Sequence, residues 1–68
     1  MAFRLHINGE EQSFDRSLSV LDLVERLGLH KRRLAIELNG DILPRAEYAQ
    51  TTLADGDRLE IVHAIGGG

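Results

Sequence analysis

The sequence predicts an α+β domain, a mixed sheet of about five strands with one helix packed across one face. Three observations predict it. Phe3-Leu5-Ile7, Leu34-Ile36-Leu38 and Leu59-Ile61 alternate with polar or small residues, the period of half-buried strands. A single stretch, Val20 to Leu27, carries apolar residues at helical spacing. Two Asn-Gly pairs and Asp55-Gly56-Asp57 punctuate the chain where strands must reverse or begin.

The first strand runs from Phe3 to Ile7, and Asn8-Gly9 turns it back through a type I′ geometry that needs positive φ at both central positions. The return, Glu10 to Phe14, is polar except for Phe14 and reads as an edge strand. Ser19 suits a helix N-cap, with Asp22 at N3 closing a relative of the Ser-x-x-Glu capping box. Leu18 and Leu23 have the spacing of a hydrophobic staple across that cap. Val20, Leu21, Val24 and Leu27 form the stripe to be buried, while Asp22, Glu25 and Arg26 face water. Gly28 supplies the left-handed residue that ends the helix.

Leu34 to Leu38 is the next strand, turned by Asn39-Gly40 into Asp41-Ile42-Leu43. Pro44 cannot donate to a ladder, so this short strand lies at an edge or stops there. Residues 45–52 read as irregular, with one helical turn around Glu47-Tyr48, and Tyr48 as a packing residue with its hydroxyl at the surface. The last strand, Arg58 to His63, has Leu59 and Ile61 on one face and Glu60 and Val62 on the other. A helix between two hairpins must cover one sheet face, and a last strand paired with the first would sit at the centre. This is the β-grasp, or ubiquitin-like, arrangement. Residues 1–63 form the domain, and residues 64–68 a flexible C-terminal tail.

Composition limits the chemistry. At 68 residues there is room for one small domain with a thin core. There is no cysteine, which excludes disulfides, thiolate catalysis and thiolate-held metal within this chain. His6, His30 and His63 lack the close spacings of metal ligands, so no metal site is expected. A net charge of −3 and only Phe3, Phe14 and Tyr48 as aromatics argue against nucleic acid. The basic run Lys31-Arg32-Arg33 follows the predicted helix, where cations complement the negative end of its dipole. No apolar run approaches the ~20 residues that span a bilayer, and the first residues have no signal-peptide layout. A monomeric, cytoplasmic protein without membrane contact is expected.

The chain finishes in Gly66-Gly67-Gly68, directly after the last strand and Ala64-Ile65. Taken alone, these glycines are a frayed end. A glycine terminus is also the least hindered carboxylate a protein can present, able to enter a slot closed to residues with a Cβ.

The whole chain resembles the ThiS-type sulfur carriers of thiamine (thiazole) biosynthesis. The resemblance rests on Asn8-Gly9-Glu10, the capped helix from Ser19 to Leu23, and Asn39 to Arg45 with Tyr48 beyond. Its most specific part is the continuous segment from Leu53 to Gly68. Tyr48 stands where many relatives carry tryptophan, and Gly66 adds a third glycine to the usual pair.

What the resemblance implies is a protein cosubstrate rather than an enzyme. The Gly68 carboxylate would be adenylated by an E1-like (ThiF-type) enzyme with ATP and magnesium, neither held by this chain. Sulfur from a donor such as a cysteine desulfurase would replace the adenylate. The resulting thiocarboxylate would serve a thiazole synthase of the ThiG type. Gly67, Gly66, Ile65 and Ala64 would thread into the partner's active site. His6 and Val62, on the open sheet face, and Arg45 are candidate docking residues. The nearest rival is the small subunit of molybdopterin synthase, which uses the same terminal chemistry. A ubiquitin-like modifier and an inert interaction module are the others.

Overall fold

The computed structural model describes residues 3–63. The tail expected at 64–68, with Ala64, Ile65, Gly66, Gly67 and Gly68, lies outside the described residues. The elements in chain order are β1 (Phe3–Ile7), β2 (Glu10–Phe14), α1 (Val20–Arg26), β3 (Leu34–Leu38), β4 (Asp41–Leu43), a 3₁₀ helix (Arg45–Gln50) and β5 (Arg58–His63). They form one five-stranded sheet in the order β2-β1-β5-β3-β4. β1 and β5 run parallel, and every other pair is antiparallel.

Each hairpin turns where its Asn-Gly pair stands. Asn8 and Asn39 both adopt φ of 52°, and Gly9 and Gly40 follow at 83° and 90°. Asparagine tolerates this left-handed region better than other residues with a Cβ, which is why the pair makes so strong a turn signal.

The helix begins as its sequence requires. The Ser19 hydroxyl accepts from the Asp22 N–H at 3.0 Å, and the Asp22 carboxylate accepts from the Ser19 N–H at 3.3 Å. Val20, whose N–H has no partner within the helix, donates instead to the Thr51 carbonyl at 2.9 Å. At the other end Gly28, with φ of 75°, donates to Glu25, and Leu29 donates to Val24. These two bonds make a Schellman stop.

The core lies between α1 and one sheet face. Val20, Leu23 and Val24 from the helix meet Leu5, Ile7, Ile36, Leu59 and Ile61 from β1, β3 and β5. Leu18, Tyr48 and Leu53 close the rim of this cluster. Leu23, expected as a staple, is fully buried, whereas Leu21 and Leu27 of the expected stripe are only half-buried. Burying such side chains contributes about 1.5–3 kcal/mol each, the main favourable term for a domain without disulfides.

One segment departs from expectation. Residues 45–50 form a six-residue 3₁₀ helix where the sequence suggested a single turn. Its reason is tertiary: Tyr48 is 4% exposed, and its anchoring in the core organises the residues around it.

Candidate functional site

The site is built around the far end of β5. This strand is central, with β1 on one side and β3 on the other. Its register is fixed further by side chains from both Asn-Gly turns. The Asn8 side chain donates through Nδ2 to the Ile61 carbonyl at 3.1 Å and accepts from the Ile61 N–H at 2.7 Å. The amide thus does for Ile61 what a further strand residue of β1 would do. Across the sheet, the Asn39 Oδ1 accepts from the Arg58 N–H at 3.0 Å, and the Asn39 N–H donates to the Arg58 carbonyl at 2.7 Å.

The entry to β5 is tied down as well. Asp57 accepts from the Ala54 N–H at 2.8 Å and from the Asn39 amide at 3.1 Å. Asp55 accepts from the Arg4 N–H at 2.7 Å, and the Gly56 N–H donates to the Arg4 carbonyl at 2.7 Å. The first residues of β5 therefore cannot slide without breaking bonds to both hairpins. His63, in register with Leu34, hands the chain on to residue 64 from a fixed point.

The sheet face away from α1 is open. Ile42 and Val62 are its exposed large apolar residues, at 68% and 65%. Val62 lies opposite Ala35, while Ile42 lies opposite Glu37, which itself faces Glu60. Val62 thus marks an apolar spot beside the chain's exit from β5. His6 shares the face but not the spot. It is in register with Arg58, four residues before Val62, which separates the two by roughly 13 Å along the strand. Arg45 stands apart from both: its guanidinium donates to the His30 and Arg32 carbonyls at 3.2 and 3.3 Å, tying the loop after α1 to the start of the 3₁₀ helix.

Asn8, Asn39, Asp55 and Asp57 are the positioning residues that sequence reasoning treats as turn formers only. The signal for their second role lies in the strand order, which places β5 between the two turns.

Among the described residues, no group of three or more His, Asp or Glu is arranged to hold a metal ion. None of them is a buried polar or charged residue of the core. A groove of about 450 Å³ on the helix side is lined by Arg16, Ser17, Leu18, Asp22, Glu25 and Arg26, whose charges offset one another. No helix among these residues is long and apolar enough to cross a membrane. The distinctive feature of the described domain is a strand end held firmly in place.

A sequence model of the ThiS family matches residues 5–68. The chain belongs to the ThiS family. The sulfur carrier protein ThiS of Bacillus subtilis is 31% identical over 65 residues, covering 94% of this chain and 98% of that protein. The solved structure of the thiamine biosynthesis protein ThiS from Geobacter metallireducens superposes with a TM-score of 0.81 at 35% identity, covering 96% of this chain and 99% of that one. The β-grasp architecture expected from the order of elements is therefore that of a ThiS relative. A thiazole synthase of Paramagnetospirillum magneticum is 49% identical over 65 residues. The chain spans 20% of the length of that protein, and the same share of a second thiazole synthase, from Magnetococcus marinus.

Proposed function

We propose that this ThiS-family chain is a sulfur carrier for thiazole formation in thiamine biosynthesis, with the Gly68 carboxylate as the group that is loaded. The observation that carries the reading is the family match extending through Gly68, beyond a strand clamped at Arg58 by Asn39 and at Ile61 by Asn8. Residues 64–68 then supply reach: five extended residues span at most about 17 Å, enough to enter a partner's cleft while the body docks outside.

An α-carboxyl with a pKa of about 3.3–3.7 is an anion at neutral pH and a poor electrophile. Activation overcomes this. A Gly68 carboxylate oxygen attacks the α-phosphorus of ATP on an E1-like enzyme, and magnesium pyrophosphate leaves. The sulfur of a persulfide, such as a cysteine desulfurase generates, attacks the acyl adenylate, and AMP departs with the bonding pair. A thiol then cleaves the acyl disulfide, leaving the thiocarboxylate on Gly68 and ending as a disulfide itself. The one reacting group this reading assigns to the carrier is the Gly68 carboxylate, while activation and sulfur come from partners, so the chain acts as cosubstrate throughout. Thiazole synthase is the acceptor, supported by the two relatives of that name that contain a region similar to this chain.

Intact-mass measurement tests this. After incubation with ATP, magnesium, the activating enzyme and a persulfide donor, the chain gains the mass difference between sulfur and oxygen, located on its last residue. A variant with alanine appended after Gly68 stays unloaded while keeping its fold. Loading of that variant, or no loading of the wild type under conditions that convert another ThiS protein, overturns the reading.

A further inference from the structure

Four of the chain's eight Lys and Arg residues gather at one place, leaving the other four against eleven Asp and Glu. Lys31, Arg32 and Arg33 are consecutive and exposed in the loop between α1 and β3. Arg45 joins them through its bonds to the His30 and Arg32 carbonyls, which also hold the loop's backbone in shape. This loop leads straight into Leu34, the residue in register with His63. The positive end of an otherwise acidic molecule therefore lies on the β3 side of the point where the chain leaves β5.

The helix dipole does not account for the cluster. α1 ends at Arg26, which is itself the basic residue of the last turn. The Gly28–Leu29 stop satisfies the carbonyls of Val24 and Glu25 before Lys31 is reached, and dipole effects fade within the last turn. Nor do acidic neighbours neutralise it. Among the described residues the ion pairs are Arg4–Glu11 and Arg26–Asp15, and none involves the four.

We propose that Lys31, Arg32 and Arg33, backed by Arg45, form a cationic collar that docks on Asp and Glu side chains of thiazole synthase around the slot that admits residues 64–68. This rests on the reading of residues 64–68 as the segment that enters the partner. An uncompensated charge of one sign, placed beside a segment that must find a narrow opening, both steers the encounter and selects its orientation. It also leaves the apolar spot at Val62, on the same end of the sheet, free to make the close contact once the body is docked.

The test measures association of the labelled full-length chain with purified thiazole synthase. The triple variant K31E/R32E/R33E associates at least about tenfold more slowly at low salt, and the neutral K31Q/R32Q/R33Q falls between it and the wild type. The differences close as salt rises from roughly 0.01 M to roughly 1 M, where the screening length shrinks from about 30 Å to about 3 Å. All three positions are exposed, so the circular dichroism spectra and thermal midpoints stay close to wild type. Equal association rates with equal salt dependence overturn the collar. A wild-type chain that is loaded with sulfur yet never associates with the synthase overturns both the collar and the synthase as acceptor, and leaves the loading of Gly68 standing. One that neither loads nor associates overturns the reading of Gly68 with the collar. Retention on duplex DNA at physiological salt, lost in the triple variant, overturns it in favour of a nucleic-acid site.

Discussion

Tyr48 shows how a single side chain organises a stretch that has no strong local signal. Its ring closes the rim of the core, and the residues on either side wind into a 3₁₀ helix to place it there. Burial disfavours the phenolate and raises the Tyr48 pKa above the ordinary 10.0, while the nearby Arg45 guanidinium pulls it part of the way back. The consequence for stability has a definite sign. A folded-state pKa above the unfolded one gives stability that is present below pH 10.0 and is lost as pH rises through the folded value. Denaturation midpoints stay level with respect to this group up to that pH and fall above it. Tyr48→Phe removes that part of the alkaline fall. Tyrosinate absorbance in the folded protein reports the titration directly, and a midpoint at or below that of free tyrosine contradicts the burial argument.

At the scale of elements, β5 depends on groups far away in the chain. Asn8 is 53 residues from Ile61 yet both donates to and accepts from it. Asn8→Ala removes the partner of both the N–H and the carbonyl of Ile61, two part-buried hydrogen bonds, and puts an unsuitable residue at positive φ, a loss of about 1–3 kcal/mol for the unsatisfied groups. Asn8→Gly keeps the turn conformation and loses only the amide. Urea denaturation of the two variants separates the contributions: both are destabilised, and alanine more than glycine. A glycine variant as stable as wild type removes the amide's role. Local chemistry made much of this fold legible in advance. Ser19, Asp22 and Gly28 act on neighbours three or four residues away, so their roles follow from spacing. The Asn-Gly turns are equally local. The clamps of Asn8, Asn39 and Asp55, and the tie from Arg45 to the His30 carbonyl, depend on which strands become neighbours. The same holds for the site. Alternation places His6 and Val62 on one face, but only the parallel register of β1 and β5 reveals that they stand apart.

For the molecule as a whole, opening should begin at the edges. β2 and β4 each pair on one side, and β4 has only three residues. β5 pairs on both sides and carries the side-chain clamps. Native-state hydrogen exchange should therefore show the amides of β4 exchanging through local fluctuations, and those of Leu59 and Ile61 only through global unfolding. Exchange of Ile61 as fast as that of β4 would mean that the end of β5 is not a fixed point.

The strand order has a further consequence. β1-β2 and β3-β4 are two hairpins with no ladder between them, and β5 is the sole bridge. Isolated hairpins are marginal in water. Withdrawal of β5 leaves two separate ribbons rather than a smaller sheet, so the element that aims the chain's end is also the keystone of the body behind it. A damaged copy of this protein thus has no half-folded form that still holds the end of β5 in place: losing that fixed point and losing the fold are one event.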